Sequence, residues 1–295
     1  FASQIGASIE ASTLQAMTDM AGRIEDVSAE RVRDELLRML ASDNPRLGLE
    51  ILVETGLAER VLPELPALKL ETDEHAHHKD VYQHTLTVLD QAIAEEKLRN
   101  PRAQADVTLR LAALLHDIGK PATRRFEAGG TVTFYHHDVV GAKLATKRLK
   151  ALRLDKETIT AVATLIELHL RFFGYADAAW SDSAVRRYVR DAGAQLDRLH
   201  IVVRADVTTR NKRKADRLSF AYDDLENRIA ELAEQEQLQA MRPDLDGEEI
   251  MKILGIGPGR DVGQAYRFLL EVRLDEGEIG AEAATQRLLE WWAAR

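Results

Sequence analysis

The sequence predicts an all-α protein with at most one small β-hairpin, near residues 125–135. Apolar residues recur along most of the chain at the three- and four-residue spacing of an amphipathic helix. Helix-starting residues precede these segments, and only one segment has the alternation and paired glycines of a hairpin. The 295 residues exceed one average domain, so two or three units are expected.

The first predicted helices lie in residues 12–24, 29–40 and 45–56. A capping box of Ser12 and Gln15 is expected to start the first helix, and Ser28 to cap the second. Pro45 suits the first turn of the third helix, and Gly56 is placed to end it. The proline-bearing text "VLPELPAL" then ends a small helical unit.

Six further helices are predicted over about residues 80–97, 104–118, 138–152, 157–170, 182–192 and 195–210. Between the second and third of these, "RRFEAGGTVTFY" indicates two short strands joined at Gly129 and Gly130. After them, "AYDDLENRIAELAEQEQLQ" indicates a charged helix, and short helices joined by Gly/Pro turns follow. The last predicted helix contains Trp291 and Trp292, which we interpret as packing anchors or an oligomer contact.

The composition excludes several classes of protein. The chain has no cysteine, which excludes disulfides, thiolate zinc sites and thiol catalysis. A formal net charge of −9 argues against a surface that binds nucleic acid everywhere. No apolar run approaches a membrane span and no signal peptide is recognisable, so a cytoplasmic protein without a membrane partner is expected. The chain begins at Phe1 rather than Met, which suggests a fragment, a processed form or part of a longer protein.

Four predicted helices direct a metal-capable side chain towards the core. Each of these residues continues the apolar face of its own helix: His84, His116, His169 and Asp206. Asp117 follows roughly 100° round the helix from His116. A lone inward histidine is most simply a hydrogen-bonded core residue, but a buried carboxylate needs compensation. Because one cation would neutralise the carboxylates and satisfy the imidazoles together, the pattern predicts a metal site.

The ligand types narrow the choice of metal. Imidazole and carboxylate without thiolate suit Mn, Fe, Co, Ni or Mg better than structural zinc. Such a metal lowers the pKa of a bound water and polarises a phosphoryl oxygen, which promotes phosphoester hydrolysis. Lys120 follows Asp117 closely and is interpreted either as a phosphate-binding group or as a solvated cation at a helix end.

The order of these residues resembles the H…HD…D signature of the HD phosphohydrolase superfamily. The matching positions are His84, the His116-Asp117 pair in "LLHDIGKP" and Asp206 in "RADVTTRNK". The resemblance implies a multi-helix HD-domain bundle in which these four residues bind a divalent metal, with Mg, Mn and Ni as the alternatives.

Two more histidines extend the resemblance. His137 in "FYHHDVVGAK" and His169 in "LIELHLRF" lie where two-metal members of the superfamily carry additional ligands. The resemblance therefore implies both as ligands of a second metal, and the choice between one and two metals stays open. Asp117 and Lys120 are the candidate catalytic residues.

The segments that flank these motifs are similar to those of bacterial CCA-adding tRNA nucleotidyltransferases and poly(A) polymerases with a C-terminal HD domain. The similar segments are "FASQIG", "VSAERVRDELLRML", "GLEILVETGLAERVLPEL", "HHKDVYQHTLTVLD" and "RPDLDGEEIMKILGIGPGRDVGQA". The resemblance covers residues 1–280 and implies three parts. Residues 1–66 would be a helical neck and body on the RNA-binding side, 67–222 an HD metal-dependent phosphohydrolase domain, and 223–295 a helical tRNA-binding tail.

One part of that family's pattern is missing. Its members transfer nucleotides with an N-terminal head that carries Gly-Ser and Asp-x-Asp and binds two Mg ions. The only Asp-x-Asp here, Asp244 to Asp246, follows Pro243 and is interpreted as a helix N-cap. The resemblance therefore implies that nucleotide addition needs residues upstream of Phe1. CCA, partial CCA and poly(A) addition stay open alternatives.

The densest basic cluster, "TTRNKRK", follows Asp206 directly. Its cations are Arg210, Lys212, Arg213 and Lys214. They are interpreted either as contacts to RNA or substrate phosphates, or as cations near the C-terminal dipole of a helix. The family resemblance implies tRNA as the partner and nucleotides bound through the head, and leaves a homodimer open.

Three functions follow from these observations. In the first, the chain is part of a tRNA nucleotidyltransferase whose HD centre hydrolyses 2′,3′-cyclic or 2′-phosphate esters. In the second, it is a tRNA-binding scaffold with an inert HD site. In the third, it is a free-standing HD nucleotide phosphohydrolase. Residues 1–66 and the tail argue against the third, because an HD hydrolase needs neither.

Overall fold

The computed structural model describes residues 1–69, 80–127, 132–177, 180–209, 211–236 and 242–295. They divide into two compact units: a first unit of residues 1–172 and 194–216, and a second unit of residues 173–193 and 217–295. Helices dominate both, which confirms the predicted all-α class. Across the described part of the chain, no helix has the length and apolarity that crossing a bilayer requires.

The elements follow one another as short and medium-length helices with a single hairpin among the described residues. The helices are α1 Ala2–Ile5, α2 Ala11–Asp19, α3 Ala29–Leu40, α4 Pro45–Glu54, α5 Ala58–Val61, α6 Val81–Arg99, α7 Val107–Leu115, α8 Lys120–Thr123, α9 His137–Ala151, α10 Lys156–Leu168, α11 Arg171–Asp177, α12 Asp182–Ala192, α13 Leu196–Ala205, α14 Lys212–Glu236, α15 Gly247–Leu254, α16 Arg260–Glu276 and α17 Gly280–Ala293. The strands are β1 Arg125–Phe126 and β2 Val132–Thr133.

The hairpin confirms the strand prediction. β1 and β2 pair antiparallel, with Arg125 opposite Thr133 and Phe126 opposite Val132. The predicted turn glycines, Gly129 and Gly130, lie outside the described residues. The hairpin places the start of α9 a few residues after the end of β2.

Five helices form the core of the first unit. α6, α7, α9, α10 and α13 pack against one another through their apolar faces. Leu86, Leu114, Leu165 and Val202 are fully buried at these contacts. The N-terminal helices join this core through α3, which packs on α7, and α4, which packs on α6.

A buried ion pair links α3, α6 and α7. The Arg110 guanidinium donates to Glu96 at 2.8 Å and to the main-chain oxygens of Leu40 and Ser42 at 2.7 and 2.8 Å. Arg110 and Glu96 are 2% and 7% exposed, so both charges depend on these partners. The arginine thereby satisfies carbonyl groups left open at the end of α3.

Some helix ends differ from their predicted positions. The first long helix is capped by Glu10, whose carboxylate accepts from the main-chain N–H of Thr13, so the predicted Ser12 capping box is wrong. Ser28 does precede α3, but its side chain makes no capping bond. Pro45 starts α4 as predicted, and Gly56 takes a left-handed φ of 74° just beyond its end.

The second unit has its own apolar core, formed by α15, α16 and α17. Its buried members are Leu245, Ile250, Ala265, Leu269, Ala284 and Leu288. Trp291 packs against this core and stacks on Phe268 with ring centroids 5.0 Å apart. The packing interpretation of Trp291 is therefore confirmed.

The Asp-x-Asp pair has a structural role in the second unit. Asp246 is the N-cap of α15 and forms a full capping box with Glu249. Asp244 accepts from the Arg273 guanidinium at 2.6 Å and from the main-chain N–H of Ile279 and Gly280 near the start of α17. Asp246 thus caps α15, as the N-cap interpretation predicts, whereas Asp244 joins α16 to the segment before α17.

Candidate metal centre

The structure brings all six predicted ligands together in the first unit. They are His84 on α6, His116 and Asp117 just after α7, His137 at the start of α9, His169 at the end of α10 and Asp206 at the end of α13. Most lie at helix ends, where the side chains can turn into the space between the helices. They form two groups of three whose ligand atoms lie within 4.8 Å of one another.

The first group consists of His84, His116 and Asp206. Oδ1 of Asp206 lies 3.0 Å from Nε2 of His84 and 3.6 Å from Nε2 of His116. The two imidazoles meet edge to face with centroids 5.5 Å apart. Two Nε2 atoms and one carboxylate oxygen therefore converge on one point.

The second group consists of Asp117, His137 and His169. Oδ1 of Asp117 lies 3.3 Å from Nε2 of His137. Its other oxygen, Oδ2, lies 3.2 Å from Nε2 of His116 and 3.5 Å from Nε2 of His84, which belong to the first group. Asp117 thus stands between the two groups and offers one oxygen to each.

Main-chain carbonyls fix the orientation and the tautomer of three of the imidazoles. Nδ1 of His116, His137 and His169 lies 2.8, 2.8 and 2.5 Å from the carbonyl oxygens of Ala113, Phe134 and Ile166. Because a carbonyl can only accept, each Nδ1 carries a hydrogen, so Nε2 of each neutral imidazole keeps the lone pair. Among the described residues, those three buried Nε2 atoms make no aligned hydrogen bond.

The burial of these groups fits a cation. His116, Asp117 and His169 are at most 1% exposed, and His137 is 8% exposed. Burying a carboxylate and several lone pairs without partners costs several kcal/mol each. Three buried Nε2 lone pairs directed towards two carboxylates are the donor set that a divalent transition metal prefers. These residues could hold such an ion.

The electrostatics also favour positive charge at this point. Burial alone lowers the pKa of His116, but the charges of Asp117 and Asp206 outweigh it and raise that pKa to about 10. Burial raises the pKa of Asp117, yet His116 and Lys120 draw it well below its ordinary value. Burial and the charge of His116 lower the pKa of His169 to about 4. A proton on His116 and a metal ion are therefore alternative ways to compensate the same carboxylates.

The turn after α7 packs directly against the backbone of α9, a contact that the sequence did not reveal. This contact holds the two groups of ligands next to each other. A Cβ atom on Gly119 would lie 2.1 Å from the main-chain oxygen of His137 and 2.7 Å from the nitrogen of Gly141. The chain after His116 thus touches the backbone of α9 directly. Gly119 does not end the preceding helix, because α7 already ends at Leu115. The pair of glycines, Gly119 and Gly141, was the available sequence signal.

Comparison with known proteins finds two family models that match the chain. The model of the HD domain matches residues 81–211, which include all six clustered residues, and the model of a probable RNA- and SrmB-binding site of polymerase A matches residues 6–68. The chain is 33% identical over 300 residues to an A-adding tRNA nucleotidyltransferase of Deinococcus radiodurans, covering 99% of this chain and 66% of that protein.

A second relative, a CC-adding tRNA nucleotidyltransferase of Thermus thermophilus, is 33% identical over 268 residues, or 89% of this chain and 56% of its own length. The chain is homologous to the CCA- and A-adding tRNA nucleotidyltransferases. It carries their RNA-binding and HD domains, as the sequence resemblance predicted. A multifunctional CCA protein of Halorhodospira halophila is 35% identical over 48% of the chain. The chain spans between a half and two thirds of the first two relatives.

Lys120 lies beside the six-residue cluster and contacts one of its carboxylates. Its ammonium donates to Oδ2 of Asp117 at 2.6 Å and lies 5.7 Å from the centre of the Phe134 ring. Its side chain is 20% exposed, so it reaches from the buried carboxylate towards solvent. A role of Lys120 in phosphate binding stays a prediction.

The basic cluster lies at the start of a helix. Arg210 lies outside the described residues. Lys212, Arg213 and Lys214 are exposed and form the first turn of α14, whose first turn is capped by Asn211. The alternative interpretation, cations near a C-terminal dipole, is therefore wrong for these three residues. Cations at a helix N-terminus oppose the macrodipole, which leaves them available to an external anion.

A polar pocket of about 420 Å³ lies beside the first group. His84 forms part of its wall, together with Gln83, Thr87, Thr208 and Thr209. The hydroxyl and amide groups of this wall can donate and accept hydrogen bonds. The pocket therefore offers room for a polar ligand next to a candidate metal-binding imidazole.

Proposed function

We propose that the six clustered residues hold a divalent metal centre that hydrolyses phosphate esters within a tRNA-processing protein. The observation that carries this proposal is the set of three buried Nε2 lone pairs directed at two carboxylates. With four imidazoles, two carboxylates and no thiolate, the donor set fits Ni or Mn better than Mg. When bound, such a metal would polarise a phosphoryl oxygen and lower the pKa of an attacking water.

The chain's own residues would divide the remaining work. His116, His137 and His169 would hold the metal with tautomers fixed by main-chain carbonyls. Asp117 offers Oδ1 to one group and Oδ2 to the other, which suits a carboxylate shared by two metals. Lys120 lies against Asp117 and can move to a substrate phosphate, and the pocket beside His84 receives the rest of the substrate.

We further propose that tRNA supplies the substrate. The A-adding and CC-adding relatives are named for acting on tRNA, and a predicted RNA-binding domain precedes the HD domain. Lys212, Arg213 and Lys214 give an acidic chain a local phosphate-binding surface, and follow Asp206 closely in sequence. We therefore expect 2′,3′-cyclic and 2′-phosphate esters at RNA ends to be the esters hydrolysed.

The proposed contribution to nucleotide addition is RNA binding. The Asp-x-Asp pair of this chain caps and joins helices, so it does not supply a polymerising site. The division into a neck and body over 1–66, an HD domain over 67–222 and a tail over 223–295 stays a prediction. Whether a homodimer forms also stays a prediction.

A second candidate is a tRNA-binding scaffold with an inert HD site. One observation favours it: the cluster can balance its charges without a metal. Protonated His116 and Lys120 together offset the carboxylates of Asp117 and Asp206. In this alternative the protein binds RNA and contains no bound metal.

Metal analysis and an assay separate the two candidates. The purified chain is analysed for bound metal and assayed for hydrolysis of 2′,3′-cyclic nucleotides with Ni, Mn and Mg. The metal-centre proposal expects bound metal and activity that His116→Ala abolishes. Absence of both in the unmutated chain would refute it and leave the scaffold.

A matched control comes from the neighbouring histidine of the same turn. His136 precedes His137, is exposed, and has a left-handed φ of 61°. His136→Asn suits that conformation because asparagine tolerates it better than most residues. We expect this variant to bind metal and to hydrolyse substrate as the unmutated chain does.

A further inference from the structure

His84 is held at both ring nitrogens by the segment that follows α13. Nε2 lies 3.0 Å from Oδ1 of Asp206, and Nδ1 lies 3.0 Å from Oγ1 of Thr208. The other three histidines of the cluster have a main-chain carbonyl at Nδ1 instead. His84 is therefore the one member of the six-residue cluster whose imidazole meets a hydroxyl at Nδ1.

The two kinds of partner have different consequences for the imidazole. A carbonyl only accepts, so it fixes the hydrogen on Nδ1 permanently. A hydroxyl can accept from Nδ1–H or donate to a bare Nδ1. Without a cation, Nε2–H of His84 can donate to Asp206 while the Thr208 hydroxyl donates to Nδ1. With a cation at Nε2, the imidazole hydrogen would be on Nδ1, and Nδ1–H would donate a hydrogen bond to Oγ1 of Thr208.

We infer that Thr208 is a positioning residue of the metal centre. Its hydroxyl allows His84 to change tautomer as the cation binds. This inference rests on the proposed metal site. His84 is then the adaptable ligand of the first group, whereas His116 is preset. Thr208 also lines the pocket beside His84, so the same side chain contacts both the pocket and this imidazole.

Metal affinity tests this role without any enzymatic assay. Partners of metal-ligating histidines typically change affinity 10- to 100-fold when removed. We therefore expect Thr208→Val to weaken Co²⁺ and Mn²⁺ binding roughly 10- to 100-fold by isothermal titration. Thr208→Ser keeps the hydroxyl and should stay within about threefold of the unmutated chain, and the Co²⁺ absorption spectrum should change only in the valine variant.

The chain offers a matched control in the same pocket. Thr87 lines the pocket too, but its hydroxyl donates to the main-chain oxygen of Gln83 at 2.8 Å. Thr87→Val should leave the affinity for both metals unchanged. Thermal unfolding in the absence of metal shows whether each variant is folded. A second pair, Thr208→Ser and Thr208→Ala, compares a side chain with and without the hydroxyl when neither is β-branched.

A double-mutant cycle shows whether Thr208 acts through His84. If it does, Thr208→Val should have no further effect on metal affinity in a His84→Ala background. Equal affinity of Thr208→Val and the unmutated chain, or additive losses in the double variant, would overturn the role of Thr208. Failure of the unmutated chain to bind either metal would instead refute the metal site itself, and the inference with it.

Discussion

Gly119 provides the sharpest test of how the metal centre is built. Its φ of −77° and ψ of −18° suit any residue, so the glycine is not required by backbone conformation. The requirement is space, because a Cβ would lie 2.1 Å from the main-chain oxygen of His137, about 1.3 Å inside the 3.4 Å at which ordinary contact begins. Gly119→Ala must therefore push the turn after α7 away from α9.

The expected loss of stability in Gly119→Ala depends on whether the new Cβ meets main-chain atoms or a flexible side chain. Overpacking in a rigid interior typically costs about 1–3 kcal/mol, and flexible side chains give the low end of that range. Here main-chain atoms of His137 and Gly141 are met, so we expect about 3 kcal/mol. For a unit of this size that corresponds to a fall in Tm of roughly 6–12 °C. His137 would also shift by more than the roughly 0.2 Å that ligand geometry tolerates, so metal affinity should fall.

Urea denaturation and Co²⁺ titration of Gly119→Ala measure both effects. The control is Gly263→Ala on α16, where a Cβ would meet nothing within 4 Å. Alanine at that exposed helical position should stabilise the protein by about 0.5–1 kcal/mol. A Gly119→Ala protein with unchanged stability and metal affinity would show that α9 is not held by this approach.

Three further predictions concern other parts of the first unit. Arg110→Ala should cost about 3–5 kcal/mol by chemical denaturation, because it leaves the buried Glu96 carboxylate without its cation. Arg38→Ala at an exposed pair should cost at most about 1 kcal/mol. A divalent metal at 100 times its Kd should stabilise the chain by about 2.7 kcal/mol, reversibly with chelator. Burial, helped by the charge of Glu50, raises the pKa of Tyr82 to about 12. This folded-state pKa exceeds the ordinary value of about 10, so the folded chain keeps its phenol proton to higher pH than the unfolded chain does. The free energy of unfolding should therefore be unaffected by Tyr82 below pH ~10 and should fall as pH rises towards ~12.

Each of these has a result that would contradict it. Equal losses for Arg110→Ala and Arg38→Ala would mean that the buried pair does not link the helices. A Tm that does not respond to Mn²⁺, Ni²⁺ or Mg²⁺ would count against the metal centre. For Tyr82, the contradicting result is an ultraviolet titration in which Tyr82→Phe loses no late-ionising phenol relative to the unmutated chain. The comparison is needed because burial also raises the pKa of Tyr175, which is present in both proteins.

Several features of the fold could be predicted from short stretches of sequence. The three- and four-residue spacing of apolar positions identified the helices and the face of each that is buried. The same spacing pointed His84, His116, His169 and Asp206 inwards before any contact was known. Local signals were weaker at helix ends, where Glu10 rather than Ser12 caps α2, because several side chains near a helix start compete for the same N–H groups.

Pairings between distant residues could not be predicted in this way. No local pattern shows that Asp117 offers one oxygen to each group of ligands, or that Thr208 meets His84. These contacts depend on how α6, α7, α9, α10 and α13 cross. Helix crossings are set by the interlocking of many side chains along each face.

The sequence by itself determined an all-α protein, its family, and a set of inward-directed ligands. The fold class and the inward direction of the ligands follow from local periodicity, since which side of a helix is buried depends on the spacing of its own residues. The family follows from the resemblance of motifs and flanking segments to known proteins. Only the tertiary structure decided how the six ligands divide into two groups, and that Gly119 is needed for contact with α9. The physical reason is that ligand geometry depends on distances of a few tenths of an ångström between atoms far apart in the chain, which only the packed helices fix.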